Sequence, residues 1–164
     1  MNVSLLTPTP ANFPTLMNLV EKFFEHEVLA YEAAKIQKAL DLLINSPAMG
    51  KVWLIEVNKD GKNTVVGHIA LSYSFSLELA SRVAIVDQFY LDPDWRSQGV
   101  GTLVIPAVEA ALREEGIDAL SMEVNIGNAG ARRFYERMGY VPRRQHCIMA
   151  KTITVPSPDL DMVS

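Results

Sequence analysis

The chain has 164 residues, of which 49% are hydrophobic and 21% charged, with a formal net charge of −4 and one cysteine. That size and composition suit one globular domain with its own core, and the lone Cys147 excludes an intrachain disulfide and fits a reducing, cytoplasmic setting. The acidic balance lacks the basic footprint of a nucleic-acid binder, no apolar run reaches membrane-spanning length, and "MNVSLLTPTPANFPT" lacks the basic-then-apolar order of a secretory signal.

"NVSLL" predicts a first strand. Leu16, Leu19, Val20, Phe23 and Phe24 recur at helical spacing and predict a helix over about residues 11–27. A second helix is expected near 31–45, with Ala33, Ile36, Leu40 and Leu43 on one face, and "SPAMG" ends it. The β-rich runs "KVWLIEV" and "TVVGHIALSYSFSL" flank "NKDGKN", whose Asp-Gly pair signals a hairpin. "RVAIVDQFYL" is a third such run. Val100, Leu103, Val104, Ala107 and Ala111 mark a helix ending near Gly116, interrupted by Pro106, where a kink or bulge is expected. "DALSMEV" predicts a strand, "NAGARRFYERMG" a helix closed by its last glycine, and "YVPRRQHCIMAKTI" one or two final strands. Hairpins followed by a β-α-β unit imply an α/β (α+β) fold with a mixed, mostly antiparallel sheet of six to seven strands and helices on both faces. Residues 1–153 are expected as one domain, and 154–164 as a fraying tail.

The stretch "DPDWRSQGVG", Asp92 to Gly101, joins a strand to a helix. It has no lysine, which removes a P-loop. Val104 stands where a dinucleotide fingerprint has its third glycine, which weakens that option. What remains is R-x-x-G-x-G: Arg96, Gly99 and Gly101. Free N–H groups at the positive end of a helix dipole can hold a pyrophosphate there. On this hexapeptide alone, a plain turn and a phosphate cradle stand about even.

A second motif follows a strand: N-x-x-A-x-x-F-Y-x-x-x-G-Y, from Asn128 through Ala131, Phe134, Tyr135 and Gly139 to Tyr140. The pair, at this separation, resembles the acetyl-CoA-binding motifs of the GNAT N-acetyltransferase superfamily, and the element order over 1–153 resembles its fold. The resemblance implies a sheet splayed at its parallel strand pair, and acetyl-CoA as acyl donor. It places the pyrophosphate on the backbone of Arg96, Ser97, Gln98, Gly99, Val100, Gly101 and Thr102. Pantetheine would pair with main chain at Phe89, Tyr90 and Leu91, with Asn128 and Ala131 nearby. Tyr135 matches the acid that protonates the leaving thiolate, and a phenol with a pKa near ~10 holds its proton at neutral pH.

The base is less defined. Asp87 precedes the loop on its strand, in register with Val83, Ile85, Phe89 and Leu91, and a carboxylate in an apolar row is costly unless paired or functional. It matches an acidic, substrate-contacting position of the polyamine-acetyltransferase branch, where a longer Glu stands. Asp87 is therefore a candidate base or amine binder, and Glu123 a lower-ranked base. His26 and Glu27 align by helix position with amine contacts of that branch. The resemblance implies an enzyme moving acetyl directly to a primary amine, either a small cationic amine or a protein amine, and acting as a homodimer. A non-catalytic acyl-CoA sensor is the alternative. His26, His68 and His146 stand at no metal-binding spacing, so no metal is expected.

Overall fold

The structure, a computed structural model, describes residues 1–143 and Ile148. These fall into two compact units, Met1–Glu123 and a second that begins at Val124. The first unit runs β1 (Asn2–Leu6), α1 (Phe13–His26), α2 (Ala33–Asn45), β2 (Gly50–Lys59), β3 (Lys62–Ser76), β4 (Ser81–Leu91), a short 3₁₀ turn (Pro93–Trp95), α3 (Val100–Glu114) and β5 (Ile117–Met122). The strands lie in the order β1-β2-β3-β4-β5, antiparallel throughout except for the parallel pair β4–β5.

Apolar periodicity explains the packing. Leu16, Leu19 and Val20 of α1 and Leu40 of α2 close over Val52, Leu54, Ala70 and Tyr90 of the sheet. In α3, Val100, Val104, Ile105, Val108 and Leu112 are buried, and that helix packs against β1 and β5. On β2, Val52 to Ile55 are buried in succession, as expected of a strand covered on both faces. Each fully buried leucine or isoleucine in these layers contributes roughly 2 kcal/mol. At the β2–β3 hairpin Asp60 and Gly61 take φ of 54° and 80°, the two positive angles of a type I′ turn.

Two features of β4 set up the site. First, Leu71 pairs with Val86 and Ala70 with Gln88, so Asp87 has no partner on β3 and forms a β-bulge. This corrects the register expected for Asp87. A one-residue insertion exchanges the faces, so Phe89 and Leu91 share the face of Ala84 and Val86, while Val83 and Ile85 share that of Gln88 and Tyr90. Second, the parallel ladder with β5 ends at Val86–Met122, whereas β4 continues to Leu91, paired among the described residues only with β3. The sheet therefore opens beside residues 87–91.

Two further expectations change. The described residues hold five strands, not six or seven; the one or two final strands were placed on a segment that lies mostly outside the described residues. Pro106 does not interrupt α3, which stays α-helical from Val100 to Glu114 with Pro106 on its exposed side. Among the described residues, no helix is long and apolar enough to cross a membrane.

Candidate active site

The helix start comes first. Gly99 is the N-cap of α3, with φ of 82°. An added Cβ there would meet only Thr102 Oγ1, at 3.7 Å, so the left-handed backbone rather than crowding selects glycine. Ser97 also has a positive φ, 59°. The Thr102 amide and hydroxyl both donate to the Gly99 carbonyl, at 3.1 and 2.6 Å, which closes the first turn. Val100 is buried and pins the turn to the core. The amides at the start of the turn precede the helical ladder and sit at the positive end of the dipole, an arrangement suited to an anion.

The free edge of β4 leads into this turn. The Asp92 amide donates to the Val66 carbonyl at 2.8 Å. Hydrogen-bonding direction alternates along an antiparallel strand, so Tyr90 also faces β3, while Phe89 and Leu91 turn their main chain to the open edge. Tyr90 itself is buried. Its ring lies 6.1 Å from His68 and 6.5 Å from His26, and its hydroxyl donates to Asp92 at 3.4 Å. Lys22 pairs with Asp92 at 2.9 Å, and that bond raises the lysine pKa. The Arg96 guanidinium lies 5.2 Å over the Tyr90 ring and donates from Nε to the Leu91 carbonyl at 2.7 Å. Lys22, Glu25, His26, Tyr90, Asp92 and Arg96 line a cleft of about 400 Å³.

Of the residues expected to meet the amine, His26 reaches this cluster from the end of α1; Arg96 donates to its Nε2 at 3.5 Å. Glu27 is exposed beside it, 3.9 Å from His26 Nε2. Asp87 projects from the bulge with its residue surface exposed, yet the protein crowds its carboxyl enough to raise its pKa. Glu123 is exposed, one residue past β5. Gln98 turns to the loop itself, donating to the Asp94 carbonyl.

Sequence reasoning missed the polar core beneath this edge. His68 is fully buried, bonded through Nε2 to Gln88 Oε1 at 2.9 Å, with Nδ1 lacking a partner among the described residues, and burial lowers its pKa to about 4. It also missed Lys22 and Asp92, which lie seventy positions apart and share no motif. No local pattern announces either.

In the second unit, α4 (Ala129–Arg137) starts at Asn128, whose Oδ1 accepts from the Ala131 amide at 3.0 Å. The two motif residues thus form the helix cap. The other end is a Schellman motif: Gly139 N donates to Glu136 O at 3.1 Å and Tyr140 N to Tyr135 O at 3.0 Å. Tyr135 packs 5.0 Å from the Phe134 ring and 5.7 Å from that of Tyr140. Burial pushes its phenol up to about 12.

Comparison with known proteins agrees with this geometry. Residues 14–140, well over half the chain, match the acetyltransferase (GNAT) family model. An uncharacterised N-acetyltransferase of Methanocaldococcus jannaschii is 28% identical over 95 residues, 54% of this chain and 42% of that protein. The aminoalkylphosphonate N-acetyltransferase of Salmonella typhimurium is 32% identical over 76 residues, 46% of this chain and 49% of that protein. The chain thus spans about half the length, or less, of the curated relatives it matches. An integron cassette protein from the mobile metagenome of Cole Harbour salt marsh shares the fold, with a TM-score of 0.77 at 24% identity over 93% of this chain and 91% of its own. A mixed sheet opened beside the parallel strand pair β4–β5, a glycine-capped helix at that opening and a family match across both motifs lead to one conclusion: the chain belongs to the GNAT acetyltransferase family.

Proposed function

We propose that the chain transfers acetyl from acetyl-CoA directly to the nitrogen of a primary amine. The observation that carries this is the continuity of the free β4 edge, residues 87–91, with the N-terminus of α3. An extended amide-bearing arm can pair along that edge while its pyrophosphate meets amides of residues 97–102. A β4 N–H turned to the opening polarises the thioester carbonyl.

The deprotonated amine nitrogen bonds the acetyl carbon as the C–S bond breaks, sulfur leaves as thiolate with the electron pair, and the acylated nitrogen gives its second proton to water. Asp87, at the mouth of the opening, takes the ammonium proton or holds the cation for a water to take it. Its raised pKa brings it nearer to the working pH of a base. Tyr135 donates to the departing sulfur. Its phenol, at about 12, keeps its proton and stabilises the thiolate by a hydrogen bond; complete transfer to a thiol with a pKa near ~8.5 is uphill, so the last proton comes from water. His26 and Glu27 set the amine end of the cleft. The Salmonella relative is named for aminoalkylphosphonates, which supports a small-molecule acceptor that carries an amino group.

The test is thiol release from acetyl-CoA over a panel of diamines, polyamines, aminoalkylphosphonates, amino sugars and lysine peptides. At least one amine should stimulate release, and Tyr135→Phe should lower kcat on the order of 100-fold. If CoA binds and no amine stimulates release, the domain is a sensor. If Tyr135→Phe matches the parent, the acid is another group.

A further inference from the structure

Arg96 opens R-x-x-G-x-G, and a cation beside a phosphate cradle invites assignment to the phosphates. Its side chain goes elsewhere. Nε donates to the Leu91 carbonyl at 2.7 Å, the guanidinium rests on the Tyr90 ring at 5.2 Å, and a terminal nitrogen reaches His26 Nε2 at 3.5 Å. All three contacts face back toward β4 and α1, within the same compact unit.

The carbonyl it takes is the last acceptor on the open edge of β4. Leu91 ends the strand, and its main chain points away from β3, because the neighbouring Asp92 amide is the one bonded to Val66. β5 does not reach it, since the parallel ladder stops at Val86–Met122. Left free, that carbonyl would offer an extended ligand a second place to pair, two residues beyond Phe89. A strand edge with an extra open site specifies register weakly.

We propose that Arg96 is a positioning residue that caps the free edge of β4 at the Leu91 carbonyl, so that the pantetheine arm of the donor pairs in one register at Phe89–Leu91. This rests on the acetyl-CoA reading of the same edge. It differs from a phosphate-binding role in a measurable way: the cap acts on the amide-bearing arm, which pantetheine shares with CoA, whereas a phosphate contact acts only on the part pantetheine lacks.

Substitution separates the two. In glutamine the amide nitrogen is attached to Cδ, as Nε is in arginine, so Arg96→Gln keeps a donor in place and removes the charge. Arg96→Met removes both and keeps the apolar stem over Tyr90. The measurement is the Kd of CoA and of pantetheine, by calorimetry or competition, for the parent and both variants, with Tm recorded for each.

Arg96→Met should weaken CoA and pantetheine by the same factor, about tenfold, because the end of β4 that the Arg96 donor orders in the free protein must then be ordered on binding. Arg96→Gln should restore most of that for both ligands. The proposal is overturned if Arg96→Met weakens CoA and leaves pantetheine unchanged, if Arg96→Gln is as weak as Arg96→Met, if neither variant changes either ligand, or if the parent binds CoA but not pantetheine at millimolar concentration. A parent that binds neither ligand overturns the acetyl-CoA reading itself. A variant with lowered Tm and equal losses at both ligands is decided by whether glutamine recovers binding.

Discussion

Tyr140 folds back onto Tyr135: its amide donates to the Tyr135 carbonyl at 3.0 Å and its ring centroid lies 5.7 Å away. The reversal requires Gly139, with φ of 92°. The glycine and second tyrosine of F-Y-x-x-x-G-Y therefore form a support for the first tyrosine. Gly139→Ala should lower stability by ~1 kcal/mol, because an L side chain is strained at that angle. Gly139→Asn should lose less, since asparagine tolerates the left-handed region. Urea melts check the stability order. Steady-state kinetics should show kcat falling with a nearly unchanged KM for acetyl-CoA; the reverse split would detach this support from the acid.

Asp87 yields a prediction with opposite signs for stability and activity. Its pKa is raised by burial in the folded protein, so the charged form is disfavoured there. Its contribution falls as pH rises from the unfolded value near ~3.9 through the folded one. Asp87→Asn should match the parent in stability at pH 3 and exceed it at pH 7, while losing most amine-dependent turnover. Asp87→Glu should retain part of that turnover. Denaturation at the two pH values, with the activity of all three proteins at pH 7, checks both halves. A less stable Asp87→Asn at pH 7 would mean that the carboxylate is paired.

His68 makes the fold acid-sensitive. Its pKa falls from 6.5 to about 4 on burial, so the folded state holds the neutral ring. The stabilisation is present above 6.5 and is lost as pH falls toward 4, on the order of 3 kcal/mol in total. Carboxylates add their own slope at the lower end, so the informative quantity is the difference from a variant. His68→Gln should melt at a temperature less dependent on pH between 6.5 and 4.5 than the parent. Parallel curves would show that the ring is protonated in place.

The elements that sequence made legible are those with a long apolar period or a defined turn chemistry. Leu16, Leu19 and Val20 marked α1 because three buried positions at helical spacing leave one solution, and Asp60–Gly61 marked the hairpin because few pairs accept two positive φ angles. The bulge at Asp87 left no trace, since it arises from pairing with β3, and the periodicity of a single strand cannot report an unpaired residue. For the same reason the row Val83, Ile85, Asp87, Phe89 looked continuous. Arg96 was visible as a motif position, but the direction of its side chain depends on where Leu91 and Tyr90 end up. Pro106 was legible as a helix breaker by composition, yet on the exposed side of a helix anchored by Val104, Ile105 and Val108 it is accommodated.

The most direct test of the donor site is an amide-resolved NMR titration with CoA. Saturable shifts are expected at Phe89, Tyr90 and Leu91 and over Ser97 to Thr102, with Asp87 also affected as the head of the opening. Little change is expected in the cleft formed by Lys59, Lys62 and Trp95 on the hairpin side of the loop. Shifts confined to that cleft, or none that saturate, would contradict the assignment of the β4 edge and the start of α3 as the donor site.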